Sequence, residues 1–134
     1  MEKIIFWKDR DKQLVDPELF SKIAENLAKK IAEDSINFRN SNKRTQIRKF
    51  YDEIVRLAML SKSRPNEWEQ LLPMVHMITA KAAYANGRKK LISDNFLQFL
   101  RDSIEQIKKP EDLNIFSNFF EAFMGFYRLH GPKN

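Results

Sequence analysis

The sequence predicts an all-α fold, a compact bundle of about five helices in a single domain. Apolar residues recur at helical spacing in five successive segments. Only three glycines and five prolines are present, which leaves little room for the many turns of a β-rich fold. A chain of 134 residues also suits one domain with a real core.

The bundle domain is expected to span residues 16–134. Residues 1–15 show no clear period. This leaves two alternatives for the N-terminal arm, a strand-like segment or disorder.

The first helix is expected from residue 16 to about residue 38. Asp16 followed by Pro17 indicates its start, because aspartate caps helices and proline suits the first helical position. The apolar residues that recur on one face, and are expected to point inward, are Phe20, Ile23, Ala24, Leu27, Ile31 and Phe38.

The second helix is expected over about residues 43–60. Asn42 is a plausible N-cap, and Thr45 competes with it. Cations in a first helical turn slightly oppose the helix dipole, so Lys43 and Arg44 hint at a use other than stability. The expected inward stripe consists of Ile47, Phe50, Tyr51, Ile54, Leu57 and Ala58.

The third helix is expected to begin within residues 66–69, and Pro73 must either kink it or mark its true beginning. One face carries apolar residues, and Met77 and Tyr84 lie on another, which predicts a central helix. Gly87 is expected in the left-handed position that often follows a helix.

The fourth helix is expected over about residues 94–108, and Pro110 breaks it. Its expected inward residues are Phe96, Leu97, Leu100, Ile104 and Ile107.

The fifth helix is expected over about residues 111–130, where Gly131 and Pro132 stop it. Five of the eleven phenylalanines lie between residues 116 and 126. Most of them are expected in the core, whereas Phe119 and Phe126, at the edge of the stripe, are candidates for contact between subunits.

The sequence offers no active site. There is no cysteine, which excludes disulfides and thiolate metal sites and suits a reducing, cytoplasmic setting. His76 and His130 stand in no metal-ligand spacing, and neither has a neighbouring nucleophile. We therefore predict a protein that is not an enzyme, with no cofactor, no metal and no membrane partner.

The net charge of +6 is concentrated in one part of the chain. Residues 39–64 hold eight cations and two anions, so this segment alone accounts for the whole excess. A second basic cluster follows, formed by Lys81, Arg88, Lys89 and Lys90, with no acid between residues 81 and 93. A solvated face without a partner is one interpretation, but such clustering favours an anionic partner.

Three segments carry a resemblance to a known family. They are the stretch from Thr45 to Phe50, the helix end Ala85-Asn86-Gly87-Arg88, and the aromatic last helix with Phe120-Glu121-Ala122 and Phe126-Tyr127. Together, and in this order, they resemble the small subunit of the type III-A CRISPR effector complex, the Csm small subunit. The resemblance covers roughly residues 42–128.

This resemblance implies a helical, non-catalytic subunit, several copies of which line a filament built on the guide RNA. Its implied partners are guide RNA, target RNA, other Csm subunits and copies of itself. Arg48 and Arg88 match motif positions and are the first candidates for RNA contact. The local charge alone supports Lys43, Arg44, Lys49, Arg56, Lys81, Lys89 and Lys90.

Two alternatives of other classes remain at this point. A helical DNA-binding regulator would lay the second helix in a major groove, although no short helix-turn-helix pair with a glycine-containing turn precedes residue 45. A protein-interaction module would bind no nucleic acid at all.

Overall fold

Five α-helices make up nearly all the regular structure in the computed structural model, which describes residues 1–134 and contains no β-strand. The predicted all-α, five-helix class is therefore confirmed. No helix combines the length and the apolarity needed to cross a membrane. In chain order the helices are α1 (Ala24–Asn37), α2 (Arg44–Ser63), α3 (Trp68–Gly87), α4 (Asp94–Glu105) and α5 (Pro110–His130).

The centre of the bundle is α5, which packs against both α1 and α2. Its aromatic stripe is buried and meets two phenylalanines of α4, with the Phe120 ring 5.8 Å from Phe99 and 6.1 Å from Phe96. Rings at these spacings in tilted and edge-on arrangements fill a core well.

Phe119 is part of this core and not of the surface. It is 0% exposed, and its ring lies 5.6 Å from Phe6 and 5.9 Å from Phe99. The expectation that it contacts another subunit is wrong for this fold, because the N-terminal arm covers it. Phe126 is only half-buried against the core.

The N-terminal arm, residues 1–15, packs along α4 and the start of α5. Gln106 holds it by the main chain, accepting a hydrogen bond from Phe6 N at 3.1 Å and donating one to Ile4 O at 2.7 Å. The indole of Trp7 donates to Asp112 at 2.8 Å. Phe6 is thereby fixed inside the core.

The chain enters α1 through a π-helical turn, Leu19–Ile23. The main-chain N–H of Ile23 bonds to Glu18 O, five residues back, at 3.1 Å. This wider turn shifts the phase of the side chains, so Leu19 is buried while Phe20, expected inside, is exposed. Phe38 was also expected inside, but it follows the end of α1 and is 54% exposed.

The third helix begins at Trp68, inside the expected window, so Pro73 lies within α3 and does not mark its beginning. The expectation of a central helix is wrong. α3 packs on α2 and α4 with one face only, and Met74, Met77 and Tyr84 are exposed on the other. The central position belongs to α5, which carries the larger side chains.

The turn after α3 reverses the chain without a left-handed glycine. Gly87 is the last residue of α3, and no glycine has a positive φ. The left-handed residues are instead Lys89 (φ 56°) and Lys90 (φ 54°). The expected role of Gly87 is therefore wrong.

Asn42 does not cap α2 with its side chain. The N-cap is Lys43, which makes no side-chain capping bond, and Asn42 is left-handed (φ 60°) and fully buried one residue earlier. Its amide is bonded elsewhere, to Ile31 O at 3.1 Å and to Ser93 at 2.9 Å.

Candidate nucleic-acid interface

A groove of about 720 Å³ lies between α2 and the C-terminal half of α3. Its floor is apolar and includes Phe50, Ile78 and Leu91. Its rim is cationic, with Lys49 on the α2 side and Lys81, Arg88 and Lys89 on the α3 side. Cations from both basic clusters of the sequence, such as Lys49 and Lys81, thus meet across one groove.

Helical spacing explains which side chains face the groove. Lys49 and Glu53 are four residues apart and lie one turn apart on the same face of α2. Lys81, Tyr84 and Arg88 follow one another at three and four residues and share one face of α3. The packing of α2 against α3 then turns these two faces toward each other.

Glu53 is the one carboxylate among the residues that line the groove. It accepts two hydrogen bonds from Arg56, at 2.8 and 3.0 Å, and lies 3.8 Å from Lys81 Nζ. The hydrogen bond from Arg56 is the main reason that the pKa of Glu53 is lowered from its ordinary value. The ionised Glu53 therefore forms a hydrogen-bonded ion pair with Arg56 and a longer ion pair with Lys81.

Three cations of the rim remain without an anionic partner. Lys49, Arg88 and Lys89 are exposed and form no ion pair. The tight turn that follows α3 presents two of them, because Leu91 N bonds back to Ala85 O at 3.1 Å. These three side chains are free to pair with phosphate groups.

Lys90 does not line the groove. It pairs with Asp94, which also accepts a 2.8 Å hydrogen bond from the Asn86 amide. The hydrogen bond from Lys90, followed by that from Asn86, lowers the pKa of Asp94. Lys90 thus links the turn to the start of α4.

Arg44 and Arg48 lie in a different place, beside Arg128 in a small cavity of about 160 Å³ between α2 and the end of α5. Arg48 is exposed, and its Nε lies 3.9 Å from Asp52. The two motif-supported candidates, Arg48 and Arg88, therefore do not share a cavity.

Arg44 has a structural partner. Its Nη2 donates to Arg128 O at 2.8 Å, in the last turn of α5. The residue four positions after Arg128 is Pro132, which has no N–H to offer that carbonyl. The positive charge of Arg44 in the first turn of α2 slightly destabilises α2. The same charge stabilises the carboxyl end of α5, where main-chain carbonyls lack partners within the helix. Lys43, beside it, is half-buried and forms no ion pair.

Sequence reasoning missed Gln46 and Leu91 in the groove and Arg128 in the small cavity. It named Tyr84 only as an apolar residue. The positions of Lys81 and Arg88, three and four residues away from Tyr84 on the same helix, are the signal that connects it with the basic cluster.

The histidines stay apart from both sites. His76 is exposed on α3, and His130 Nε2 lies 2.7 Å from Glu25 Oε2. No three or more histidine, aspartate or glutamate side chains are grouped so that they could hold a metal ion.

Comparison with protein families gives a match over nearly the whole chain. The family model described as Csm2 Type III-A matches residues 15–133 of the 134 in the chain. The match covers all five helices and both basic clusters. Neither the curated proteins nor the solved structures contain a significant match.

Proposed function

The chain belongs to the Csm2 Type III-A family and is therefore a subunit of a type III-A CRISPR effector, in which we propose that it is a non-catalytic subunit that holds RNA by its backbone. The observation that carries this proposal is the groove between α2 and α3, with Lys49, Arg88 and Lys89 exposed and unpaired on its rim. Guanidinium and ammonium groups so arranged suit successive phosphates.

The proposal agrees with the way an RNA-guided complex recognises its target. The guide supplies sequence specificity by base pairing, so a subunit beside it needs cations along the backbone and no pocket for one base. Weak binding by one copy suffices, because several copies side by side on one RNA raise the overall affinity. The proposed ligand is the target RNA or the guide–target duplex.

Arg48 is a weaker candidate for RNA contact than the three unpaired cations of the groove. It follows the family motif, but it lies on the α5 side of α2 while its neighbour Lys49 faces the groove. An RNA strand that crosses α2 would reach both side chains. Three other cations already have partners within the chain and are therefore weaker candidates for RNA contact: Arg44, Arg56 and Lys90.

Contacts with other subunits and with copies of the chain belong to the same proposal. The half-buried Phe126 remains a candidate for such contacts, and Met74 and Met77 are exposed on the outer face of α3. Replacing Met77 by serine should leave the fold intact and weaken co-purification of the neighbouring subunits if this face is used.

The test is reconstitution of the effector with its partner subunits and guide RNA. A complex carrying Lys49→Ala and Arg88→Ala should assemble with normal composition and bind target RNA more weakly. A complex carrying Lys12→Ala and Arg101→Ala, exposed cations outside the groove, is the matched control. Unchanged target affinity in the first complex would overturn the proposal, as would RNA cleavage by the purified chain with magnesium.

A further inference from the structure

Tyr84 is a large aromatic side chain placed openly in the basic groove. It is 69% exposed, and its hydroxyl makes no hydrogen bond within the chain. Lys81 and Arg88 flank it on the same face of α3, and Lys49 stands across the groove. The ring is neither part of the hydrophobic core nor packed against it.

Tyr84 differs from the other aromatic residues in or near the groove. Phe50 forms the floor and is buried, and Tyr51 packs partly against Phe120. Both tryptophans are tied down elsewhere, with the Trp7 indole bonded to Asp112 at 2.8 Å and the Trp68 indole bonded to Lys108 O at 3.0 Å. Tyr84 is thus the aromatic ring that the groove offers to a ligand.

An aromatic ring among cations suits unpaired nucleotides. Bases of single-stranded RNA stack on aromatic side chains while cations bind the adjacent phosphates, and every base has a face for such stacking. A base inside a duplex has both faces covered by its neighbours, so it cannot stack on a protein ring without leaving the helix.

We propose that Tyr84 is the stacking platform for an unpaired RNA base, while Lys49, Arg88 and Lys89 bind the phosphates on either side of it. The inference rests on the proposed function and narrows its ligand. The groove takes single-stranded RNA in preference to a duplex and is indifferent to which base is stacked.

The first experiment measures binding of a short labelled single-stranded RNA by fluorescence anisotropy. Tyr84→Leu keeps an apolar side chain but removes the aromatic face, and it should weaken binding about 5- to 150-fold, the range for loss of one base–aromatic stack. Tyr84→Phe keeps the ring and should bind as the unaltered protein does. Neither change removes a phosphate contact, so the salt dependence of the affinity should stay the same.

The second experiment uses RNA that carries 2-aminopurine, whose fluorescence is quenched when the base stacks. The unaltered protein and Tyr84→Phe should quench it, and Tyr84→Leu should not. A duplex of the same sequence should bind more weakly than the single strand. Because the unaltered protein gives a signal by itself, this experiment does not depend on the folding of a variant.

The outcomes separate the two proposals. If RNA binds with the expected salt dependence but Tyr84→Leu has unaltered affinity, the stacking inference is overturned and the proposed function stands. Equal affinity for single strand and duplex, or no quenching by the unaltered protein that binds, would also overturn it. If the unaltered protein binds no RNA, both proposals fail.

Discussion

The phenolic hydroxyl of Tyr127 donates a 2.6 Å hydrogen bond to the main-chain carbonyl of Asn42, which joins the end of α5 to the loop before α2. Asn42 in turn reaches two other parts of the chain. Its side chain donates to Ile31 O and accepts from Ser93 N at 2.8 Å, and its main-chain N–H donates to Leu91 O at 3.0 Å. One buried residue thus links α1, α5 and the turn that presents the basic rim of the groove.

Removing the hydroxyl of Tyr127 should destabilise the protein. Tyr127→Phe leaves the buried carbonyl of Asn42 without its donor, and the expected loss is about 1–3 kcal/mol in the free energy of unfolding. Urea denaturation followed by circular dichroism measures it. The matched control is Tyr84→Phe, which removes the same atom from an exposed ring and should change stability by less than about 0.5 kcal/mol. Equal effects of the two variants would contradict the buried hydrogen bond.

Tyr127 should also make stability depend on alkaline pH. Burial is the main cause that raises the pKa of Tyr127 to about 12. The folded pKa lies above the unfolded value of about 10, so the contribution is full below pH 10 and is lost as the pH rises toward 12. Over this window the unaltered protein should lose on the order of 2–3 kcal/mol more than Tyr127→Phe does. Parallel stability curves for the two proteins between pH 9 and pH 12 would contradict the burial of an un-ionised phenol.

Asp112 anchors the N-terminal arm with a buried carboxylate. Burial by itself would raise the pKa of this group, but hydrogen bonds from the main-chain N–H of Lys108 at 2.8 Å and of Lys109 at 3.0 Å, and from Trp7 and Arg10, lower it below the ordinary value. The folded pKa is therefore below the unfolded one. The stability that Asp112 contributes is present above the unfolded pKa of about 3.9 and is lost as the pH falls toward the folded pKa.

Asp112→Asn should lower the free energy of unfolding by about 2 kcal/mol or more at neutral pH, because bonds from four donors to a charged acceptor are weakened. Its stability should vary less between pH 5 and pH 2 than that of the unaltered protein. In a chain in which Trp68 is replaced by phenylalanine, the fluorescence of Trp7 should show that Asp112→Asn releases the arm at a lower urea concentration. Glu111→Gln, an exposed neighbour without an ion pair, is the control and should have little effect. An Asp112→Asn variant as stable as the control would show that Phe6 and the hydrogen bonds of Gln106 hold the arm without the Asp112 carboxylate.

Gly87→Ala should raise stability by up to about 1 kcal/mol. Gly87 is helical, and an added Cβ would meet nothing within 4 Å, so alanine gains helix propensity without a clash. Thermal unfolding measures the change. A clear loss of stability would instead support a left-handed glycine at the end of α3.

Lys89→Gly, at a position with φ 56°, is the complementary change and should relieve backbone strain.

Helical periodicity predicted five helices and most of the core, because a regular α-helix repeats its buried face at a constant angle. The prediction of buried residues failed where the backbone is not a regular α-helix. The π-helical turn at Leu19–Ile23 moved Leu19 inside and Phe20 outside. Phe38 lies after the last turn of α1, where the helical period no longer applies.

Long-range contacts decide several other features that periodicity and charge alone could not predict. Phe119 stands at the edge of its stripe in the sequence, but Phe6 arrives from the arm and buries it. The two basic clusters could be recognised from charge, whereas their convergence on one groove depends on how α2 packs against α3. The separation of Arg44 from that groove follows from its bond to Arg128, which lies 84 residues further along the chain.

The central claim is that the groove between α2 and α3 binds RNA phosphates through its unpaired cations. The most direct test is the affinity of the purified chain for single-stranded RNA, measured over a range of salt concentrations. With three contacts, by Lys49, Arg88 and Lys89, the plot of log affinity against log salt should have a slope near −2, at about 0.7 per phosphate. The account predicts that Lys49→Ala with Arg88→Ala weakens binding to all sequences alike and flattens the slope to near −0.7, while Lys12→Ala with Arg101→Ala changes neither. A groove double variant with the affinity and the slope of the unaltered protein would contradict it.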